Sequence, residues 1–229
     1  MEINALRNVF TIKAGSSNVY LIKNGNESIL VDAGNKNKGK KILRIMRNHG
    51  INPEDIALIV ITHCHYDHVG SLHYLKEKTG ACVLVHHQEA ENLKNGFLDL
   101  PDGTNLLSMF AVWLGRSLQS FMGKFHPVQP DIAIEQRYDP DINGINCYVI
   151  PTPGHTEGSL SLIFEDEAAF VGDAAFNIFR KVYPPFANNR QKLLESWEFL
   201  LNTKVKYIFP GHGRRFKIDR IDRELKKRK

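Results

Sequence analysis

The sequence has few cysteines and no long apolar run, and both features narrow the class of protein. Its three cysteines, at positions 64, 82 and 147, are odd in number and far apart, which argues against a disulfide framework and a cysteine-type zinc site. The apolar runs are about as long as a strand, well short of the roughly 20 residues that span a bilayer, and the N-terminal region lacks the apolar core of a secretory signal. We therefore expect a soluble, cytoplasmic protein without a membrane partner.

The chain also lacks linkers, low-complexity segments and repeats of solenoid length. With 42% hydrophobic residues it can bury a sizeable core, so we predict a single domain over residues 1–229. Much of the formal net charge of +5 lies in the final stretch, GRRFKIDRIDRELKKRK, where charges alternate in a helical pattern. This pattern favours a solvated C-terminal helix, so a nucleic-acid partner is not expected, and the oligomeric state stays open.

Five predicted strands each lead to a polar residue just past their carboxyl ends. They are SILVDAG (Asp32), IALIVITHCH (His63), CYVIPTPGH (His155), AAFVGDAAF (Asp173) and VKYIFPGH (His212). Helices with one apolar face are predicted over 37–49, 68–78 and 190–201, and hairpins near 132–150 and 159–172. Strands and helices in this order predict an α+β fold with layers of helix, sheet, sheet and helix.

Residues 62 to 70, THCHYDHVG, contain three histidines and an aspartate within six positions. An extended backbone places His63 and His65 on one side and turns Cys64 the other way, so Cys64 is expected to pack rather than to bind. Asp67 and His68 come where a helix should begin, so they can turn towards the same point. Imidazole nitrogen and carboxylate oxygen suit zinc, and also iron or manganese. The segment therefore predicts a metal site.

Three further candidate ligands lie in PTPGHTEGS, FVGDAAF and FPGHG. His155, Asp173 and His212 each follow an apolar strand, and the flanking glycines and prolines allow tight turns that aim a side chain at the strand ends. With the first motif they bring the donors to seven, more than one ion needs. We therefore predict two divalent metal ions.

Taken in order, ILVDAG, THCHYDHVG, PTPGHTEGS, FVGDAAF and FPGHG resemble the metallo-β-lactamase superfamily over nearly the whole chain. The resemblance implies a four-layer αβ/βα sandwich with the metals at one edge between the sheets. It implies a further role for Asp32, which matches a carboxylate that orients a ligand imidazole. The implied ligands are His63, His65 and His155 for a first metal, Asp67, His68 and His212 for a second, and Asp173 as the bridge between them.

Two neighbouring cations lower the pKa of a shared water from about 15.7 towards roughly 7, which supplies a hydroxide nucleophile at neutral pH. The same ions can polarise a carbonyl oxygen as a tetrahedral intermediate forms. We therefore predict a metal-dependent hydrolase in which a metal-bridging hydroxide attacks an acyl bond of a small-molecule substrate. The bond is a thioester, lactone or other carboxylic ester, zinc is the expected ion, and Asp67 and Asp173 are the expected catalytic residues.

The motifs indicate the branch of the family less clearly than the family itself. PGHTEGS looks most like the glyoxalase II and thioesterase or lactonase branch, and Asp173 stands where true β-lactamases carry other residue types. Acyl-homoserine lactonases typically have a tyrosine where this chain has Phe176, and Tyr66 and Tyr183 are equally consistent with substrate contact and with packing. A persulfide dioxygenase with a single iron and, more remotely, a ribonuclease or a β-lactamase of the same fold stay open as alternatives.

An unusual segment, residues 96–130, lies between the two groups of candidate ligands. Its central part, 104 to 122, has apolar residues at three- and four-residue spacings, which predict a helical insertion with a broad apolar stripe. The segment is equally consistent with a core helix and with a lid over a substrate pocket. The stripe consists of Leu106, Phe110, Trp113, Leu114, Leu118, Phe121 and Met122.

Overall fold

A computed structural model describes residues 5–24, 27–97, 103–104, 109 and 124–228, which form two β-sheets with helices on their outer faces. The strands are β1 (Val9–Lys13), β2 (Asn18–Asn24), β3 (Glu27–Val31), β4 (Ile56–Val60), β5 (Cys82–His86), β6 (Ile132–Ile134), β7 (Cys147–Pro151), β8 (Leu160–Phe164), β9 (Ala168–Asn177), β10 (Tyr207–Gly213) and β11 (Phe216–Lys217). The helices are α1 (Gly39–Asn48), α2 (Tyr66–Val69), α3 (Leu72–Thr79), α4 (His87–Asn95), α5 (Arg190–Leu201) and α6 (Asp219–Leu225), with 3-10 turns at Ala5–Asn8 and Pro53–Asp55.

The strand order brings the candidate ligands to one edge. The first sheet has the order β1-β2-β3-β4-β5-β6, and its strands from β3 to β6 are parallel. The second has the order β11-β10-β9-β8-β7, in which β9 and β10 are parallel neighbours. Because parallel neighbours end at the same edge, the residues that follow β3 and β4 meet on one sheet, and Asp173 and His212 meet on the other.

Three buried apolar clusters separate four layers. One lies between the first sheet and helices α1, α3 and α4, the second between the sheets, and the third between the second sheet and helices α5 and α6. Side chains on a strand alternate between these clusters, so on β8 Leu162 packs between the sheets while Ile163 faces the outer helices. The predicted α+β four-layer sandwich is therefore confirmed.

Two details of the sequence prediction need correction. The helix predicted over 68–78 is two helices, α2 and α3, because the chain turns at Gly70. The turn passes close to Lys36, since a Cβ added at Gly70 would lie 2.3 Å from the Lys36 backbone nitrogen. The hairpin predicted near 132–150 is also wrong: β6 pairs in parallel with β5 in the first sheet, and only Tyr138 bridges to Val149. The hairpin near 159–172 is confirmed as β8 and β9.

The predicted helical insertion at 96–130 falls largely on residues outside the described part of the chain, including the whole apolar stripe. The single-domain prediction for 1–229 likewise stays a prediction. At the C-terminus, α6 confirms the predicted helix, and its own residues Ile221 and Leu225 are buried in the cluster beneath the second sheet. Within the described residues, none of the helices has the length and apolar character needed to cross a bilayer.

Candidate metal centre

All seven predicted ligands lie together at one edge of the two sheets. Their backbone positions explain this arrangement: four follow β4 and enter α2, one lies between β7 and β8, and two lie on β9 and β10. They form a first donor group (His63, His65, His155 and Asp173) and a second donor group (Asp67, His68 and His212). Within each group the ligand atoms lie within 4.8 Å of one another.

The first donor group is buried throughout. Nε2 of His155 lies 3.0 Å from Nδ1 of His65, and Oδ2 of Asp173 lies 3.6 Å from Nε2 of His155 and 4.0 Å from Nε2 of His63. Three imidazoles and a carboxylate therefore converge on one small volume from which solvent is nearly excluded. This is a donor set typical of zinc and related divalent ions.

The second donor group lies closer to the surface and contacts the first through Asp173. Nε2 of His212 lies 3.4 Å from Oδ2 of Asp67 and 3.4 Å from Oδ2 of Asp173. Nε2 of His68 lies 3.3 Å from Oδ1 of Asp173. The Asp173 carboxylate thus lies between the two groups, which is the placement that a bridging ligand requires.

Hydrogen bonds outside the site fix which nitrogen of three imidazoles carries the proton. Each ring donates its Nδ1–H to an oxygen that can only accept, so Nε2 is the nitrogen that faces the site. The acceptors are the Asp32 carboxylate for His68 (2.7 Å), the Phe186 carbonyl for His155 (2.9 Å) and the Ser16 carbonyl for His212 (3.0 Å).

Asp32 and Thr62 form hydrogen bonds that link a histidine of the first donor group to a histidine of the second. The Thr62 hydroxyl donates a hydrogen bond to the Asp32 carboxylate at 2.9 Å. The oxygen of this hydroxyl lies 3.1 Å from Nδ1 of His63 and can accept its N–H. Asp32 therefore orients His68 directly and His63 through Thr62. Gly172 makes room for this pair, because a Cβ there would lie 2.4 Å from the Thr62 hydroxyl.

Two serines that the sequence did not identify hold Asp67. The Ser16 hydroxyl donates to Oδ2 of Asp67 at 2.9 Å, and the Ser17 hydroxyl donates to the Asp67 backbone carbonyl. Both lie in AGSSN between β1 and β2, a stretch whose glycine and serines indicate only a turn. Gly15 in this turn has a φ of 108°, a conformation that suits glycine. Only the tertiary fold brings the turn to the site.

The charge states of the two donor groups differ. Burial holds the pKa of His63 and of His65 well below the usual range, and it also lowers the pKa of His155. Burial works against the ionised form of Asp173, but the nearby His212 and His68 hold the pKa of this carboxyl well below its usual range. In the first donor group, neutral imidazoles beside an ionised carboxylate are the forms in which these side chains bind metals. In the second donor group burial works against the charged imidazoles, but Asp173 raises the pKa of His68 and of His212, so an ion bound there would replace a proton on each ring.

Among the described residues, four buried polar atoms of the site have no hydrogen-bond partner. They are Nε2 of His63, His65 and His68, and Oδ1 of Asp173. Buried polar atoms in native proteins are nearly always satisfied, so a cluster of exceptions among converging ligands needs an explanation. Divalent cations in the two donor groups would satisfy such atoms, and the residues present therefore fit metal ions.

The remaining predicted residues take up clear positions. Cys64 is buried in the cluster beneath the first sheet and lies 3.6 Å from the Glu89 carbonyl, so it packs as expected. The ring of Phe176 stacks on His212 with the centroids 4.7 Å apart, which places an apolar face beside the second donor group. Tyr183 packs edge-on against Trp197, with the ring centroids 5.8 Å apart.

Comparisons with known proteins agree with this geometry. The family model of the metallo-β-lactamase superfamily matches residues 12–212, and the chain belongs to this superfamily. A protein of Methanocaldococcus jannaschii named "Probable metallo-hydrolase" is 29% identical over 86% of this chain and 88% of its own length. A human protein named as an acyl-coenzyme A thioesterase is 25% identical over 90% of this chain and 76% of its own length.

A solved structure of an archaeal metallo-β-lactamase superfamily protein from Sulfolobus tokodaii also resembles this chain. It superimposes with a TM-score of 0.71 and 24% identity, covering 96% of this chain and 85% of its own. At this identity the likeness supports the fold alone. Family, fold and donor groups together define the protein as a member of the metallo-β-lactamase superfamily whose cluster of histidines and aspartates is suited to divalent metal ions.

Proposed function

We propose that this protein is a binuclear, metal-dependent hydrolase that cleaves the acyl bond of a thioester, a lactone or another carboxylic ester. The observation that carries the proposal is the Asp173 carboxylate, which lies within 3.6 Å of imidazoles from both donor groups. One carboxylate shared by two groups of donors supports a pair of ions. The human relative named as a thioesterase supports a thioester substrate.

In this proposal the first donor group would hold one ion and the second donor group the other, with Asp173 placed to serve both. When bound, divalent cations lower the pKa of water towards neutrality and withdraw charge from a carbonyl oxygen. The side chains supply the orientation. Ser16 fixes Oδ2 of Asp67 by a hydrogen bond, and Asp67 would in turn accept a hydrogen bond from the attacking hydroxide and so orient it towards the acyl carbon.

Zinc is the ion that we propose, because imidazole and carboxylate donors suit it and hydrolysis needs no change of oxidation state. Iron or manganese would fit the same donors. We also propose a cytoplasmic location for the protein. The three cysteines, all of them free, support this location, since thiols stay reduced in that compartment.

Reconstitution with single metals tests the proposal. The chelated protein is reloaded with zinc, manganese or iron, its metal content is measured, and each form is assayed with thioesters, lactones, a phosphodiester and a persulfide while oxygen uptake is recorded. We expect two zinc ions per chain and hydrolysis of a thioester or lactone without oxygen uptake. Activity of the iron form alone, with oxygen uptake matching persulfide turnover, would replace the hydrolase with a dioxygenase.

A further inference from the structure

An apolar groove begins beside the second donor group. It has a volume of about 940 Å³, which lies in the range of small-molecule sites. The chain segment that follows β9 forms most of its walls. The apolar side chains that line it are Phe176, Ile178, Val182, Pro184, Pro185 and Phe186.

Two of these lining residues also contact the candidate ligands. Phe176 stacks its ring on the imidazole of His212, and the backbone carbonyl of Phe186 accepts the Nδ1–H of His155. The groove is therefore built on residues that touch one ligand from each donor group. A molecule lying in it would have one end next to the proposed metal centre.

The other end of the groove is strongly basic. Six cationic side chains line the groove and an adjoining pocket, and we call them the basic cluster: Arg180, Lys181, Arg220, Arg223, Lys227 and Arg228. Within the described residues, the carboxylates paired with the cluster are Glu224, which contacts Lys227 and Arg228, and Asp219, which contacts Arg223. Positive charge therefore remains in excess at this end.

The cations of the cluster are held close together. Arg220 donates one guanidinium N–H to the Arg180 carbonyl at 2.8 Å and another to Asn177 at 3.0 Å. Its pKa is lowered by partial burial and also by the neighbouring Arg180 and Arg223. Like charges that are held together in this way would be stabilised by a bound anion.

The turn that contains Phe179 and Arg180, between the apolar and the basic lining of the groove, has an uncommon backbone conformation. Ile178 and Lys181 form a bridge across a two-residue turn, in which Phe179 has a φ of 48° and Arg180 a φ of 62°. Turns of this type normally take asparagine and glycine, because a Cβ is unfavourable there. The turn nonetheless holds Phe179 with 93% of its surface exposed and Arg180 directly beside it. Such strain is found where a conformation serves a function.

From these observations we infer that the groove and the basic cluster bind the substrate of the proposed hydrolase. The part of the substrate that leaves lies along the groove from the metal centre, with its apolar arm against the groove walls, and an anionic group on that part, a phosphate or a cluster of carboxylates, is held by the basic cluster. This substrate class rests on the proposed function, since it presumes that the adjacent centre cleaves the acyl bond.

Binding of an unreactive amphiphile tests the groove without catalysis. We would titrate the metal-loaded full chain with decyl phosphate, and with decyl maltoside as the neutral probe, and measure affinity by calorimetry. The variant Arg180→Gln/Lys227→Gln removes two charges at the groove, and Lys94→Gln/Lys204→Gln removes two exposed charges elsewhere. We expect the groove variant to lose at least about tenfold in affinity for decyl phosphate, while the control stays near the unmodified protein.

All variants keep the seven candidate ligands, so any contact of phosphate with the metals is the same in each. Equal affinity of both double variants for decyl phosphate would overturn the inference, and so would equally tight binding of decyl maltoside. Sedimentation with phosphatidylglycerol vesicles is the third measurement. If the unmodified protein binds vesicles through Arg180 and Lys227 but does not bind monomeric decyl phosphate, the cluster is a membrane-binding surface and the inference is wrong.

Kinetics then connect the groove to the reaction. The decanoyl thioesters of pantetheine and of 4′-phosphopantetheine differ by one phosphate, and we expect the phosphorylated one to have a KM about tenfold lower. The groove variant should erase this difference by raising the KM of the phosphorylated thioester, whereas the control variant keeps it. A preference that survives in the groove variant would refute the inference and leave the hydrolase intact. If neither thioester is cleaved by any metal form, the thioesterase proposal fails, while the calorimetry still decides whether the groove binds anionic amphiphiles.

Discussion

The two donor groups of the candidate metal centre are built in different ways. In the first, four side chains are buried and packed against one another. In the second, the side chains of Asp67 and His212 are 10% and 12% exposed. Each group has one imidazole that a backbone carbonyl orients, His155 in the first and His212 in the second. The groups differ in that Asp67 and His68 depend directly on the side chains of Ser16 and Asp32, whereas His63 is reached by Asp32 only through Thr62.

This contrast indicates which half of the centre is sensitive to single substitutions. Contacts made by backbone and close packing persist when a neighbouring side chain changes, whereas a contact made by one side chain is lost with it. We therefore expect the first group to hold its ion more firmly than the second. The following substitutions test this difference, beginning with one that should remove it altogether.

Replacement of Asp173 by alanine should have the largest effect, because its carboxylate contacts both groups. We expect the loss of activity to exceed the roughly 10- to 100-fold loss that is typical when a residue behind a metal ligand is changed. The measurements are kcat/KM at saturating metal and metal content by elemental analysis. Rates equal to those of an Asp32 variant would show that Asp173 does not bridge the groups.

Gly211→Ala should disturb both groups through steric contact alone. The added Cβ would lie 2.2 Å from Oδ1 of Asp173 and 2.8 Å from Cε1 of His68, so these side chains must move. A displacement of about 1 Å at a reacting centre can cost about 100-fold in rate, and we expect a loss of that size. Gly80→Ala is the control, since it has no atom within 4 Å of the new Cβ and should alter stability only. Full activity of the Gly211 variant would contradict the arrangement of the site.

Asp32→Asn should weaken the second group more than the first. Asparagine tolerates the φ of 65° at this position, but it removes the charge that orients His68. We expect a loss of roughly 10- to 100-fold in activity, and in calorimetric titrations the weaker of the two metal-binding steps should be affected first. Loss of the tighter step with the weaker one unchanged would reverse our ranking of the two groups.

Ser16→Ala should give the smallest effect and should be confined to the second group. It removes one hydrogen bond to Oδ2 of Asp67, worth about 1 kcal/mol, which corresponds to about fivefold in metal affinity or rate. Competition with a chelator of known affinity measures the change. An effect as large as that of Asp32→Asn would mean that Ser16 has a role beyond orienting Asp67.

Much of the fold followed from strand positions in the sequence. The apolar runs before Asp32, His63, Asp173 and His212 predict strands that end at one edge, and the structure brings these residues together there. The break at Gly70 and the pairing of β6 with β5 were not predicted, because both depend on contacts between segments distant in the chain. Local periodicity contains no information on such contacts.

The sequence by itself determined the family, the four-layer sandwich and the seven candidate ligands, because strand periodicity and dense donor motifs are local properties of the chain. The tertiary structure alone decided how those ligands divide into a buried and a more exposed group. It also decided that Ser16 and Thr62 orient them and that a basic cluster lies at the far end of an apolar groove. These arrangements join residues from different strands and loops, so they arise only when the two sheets pack together.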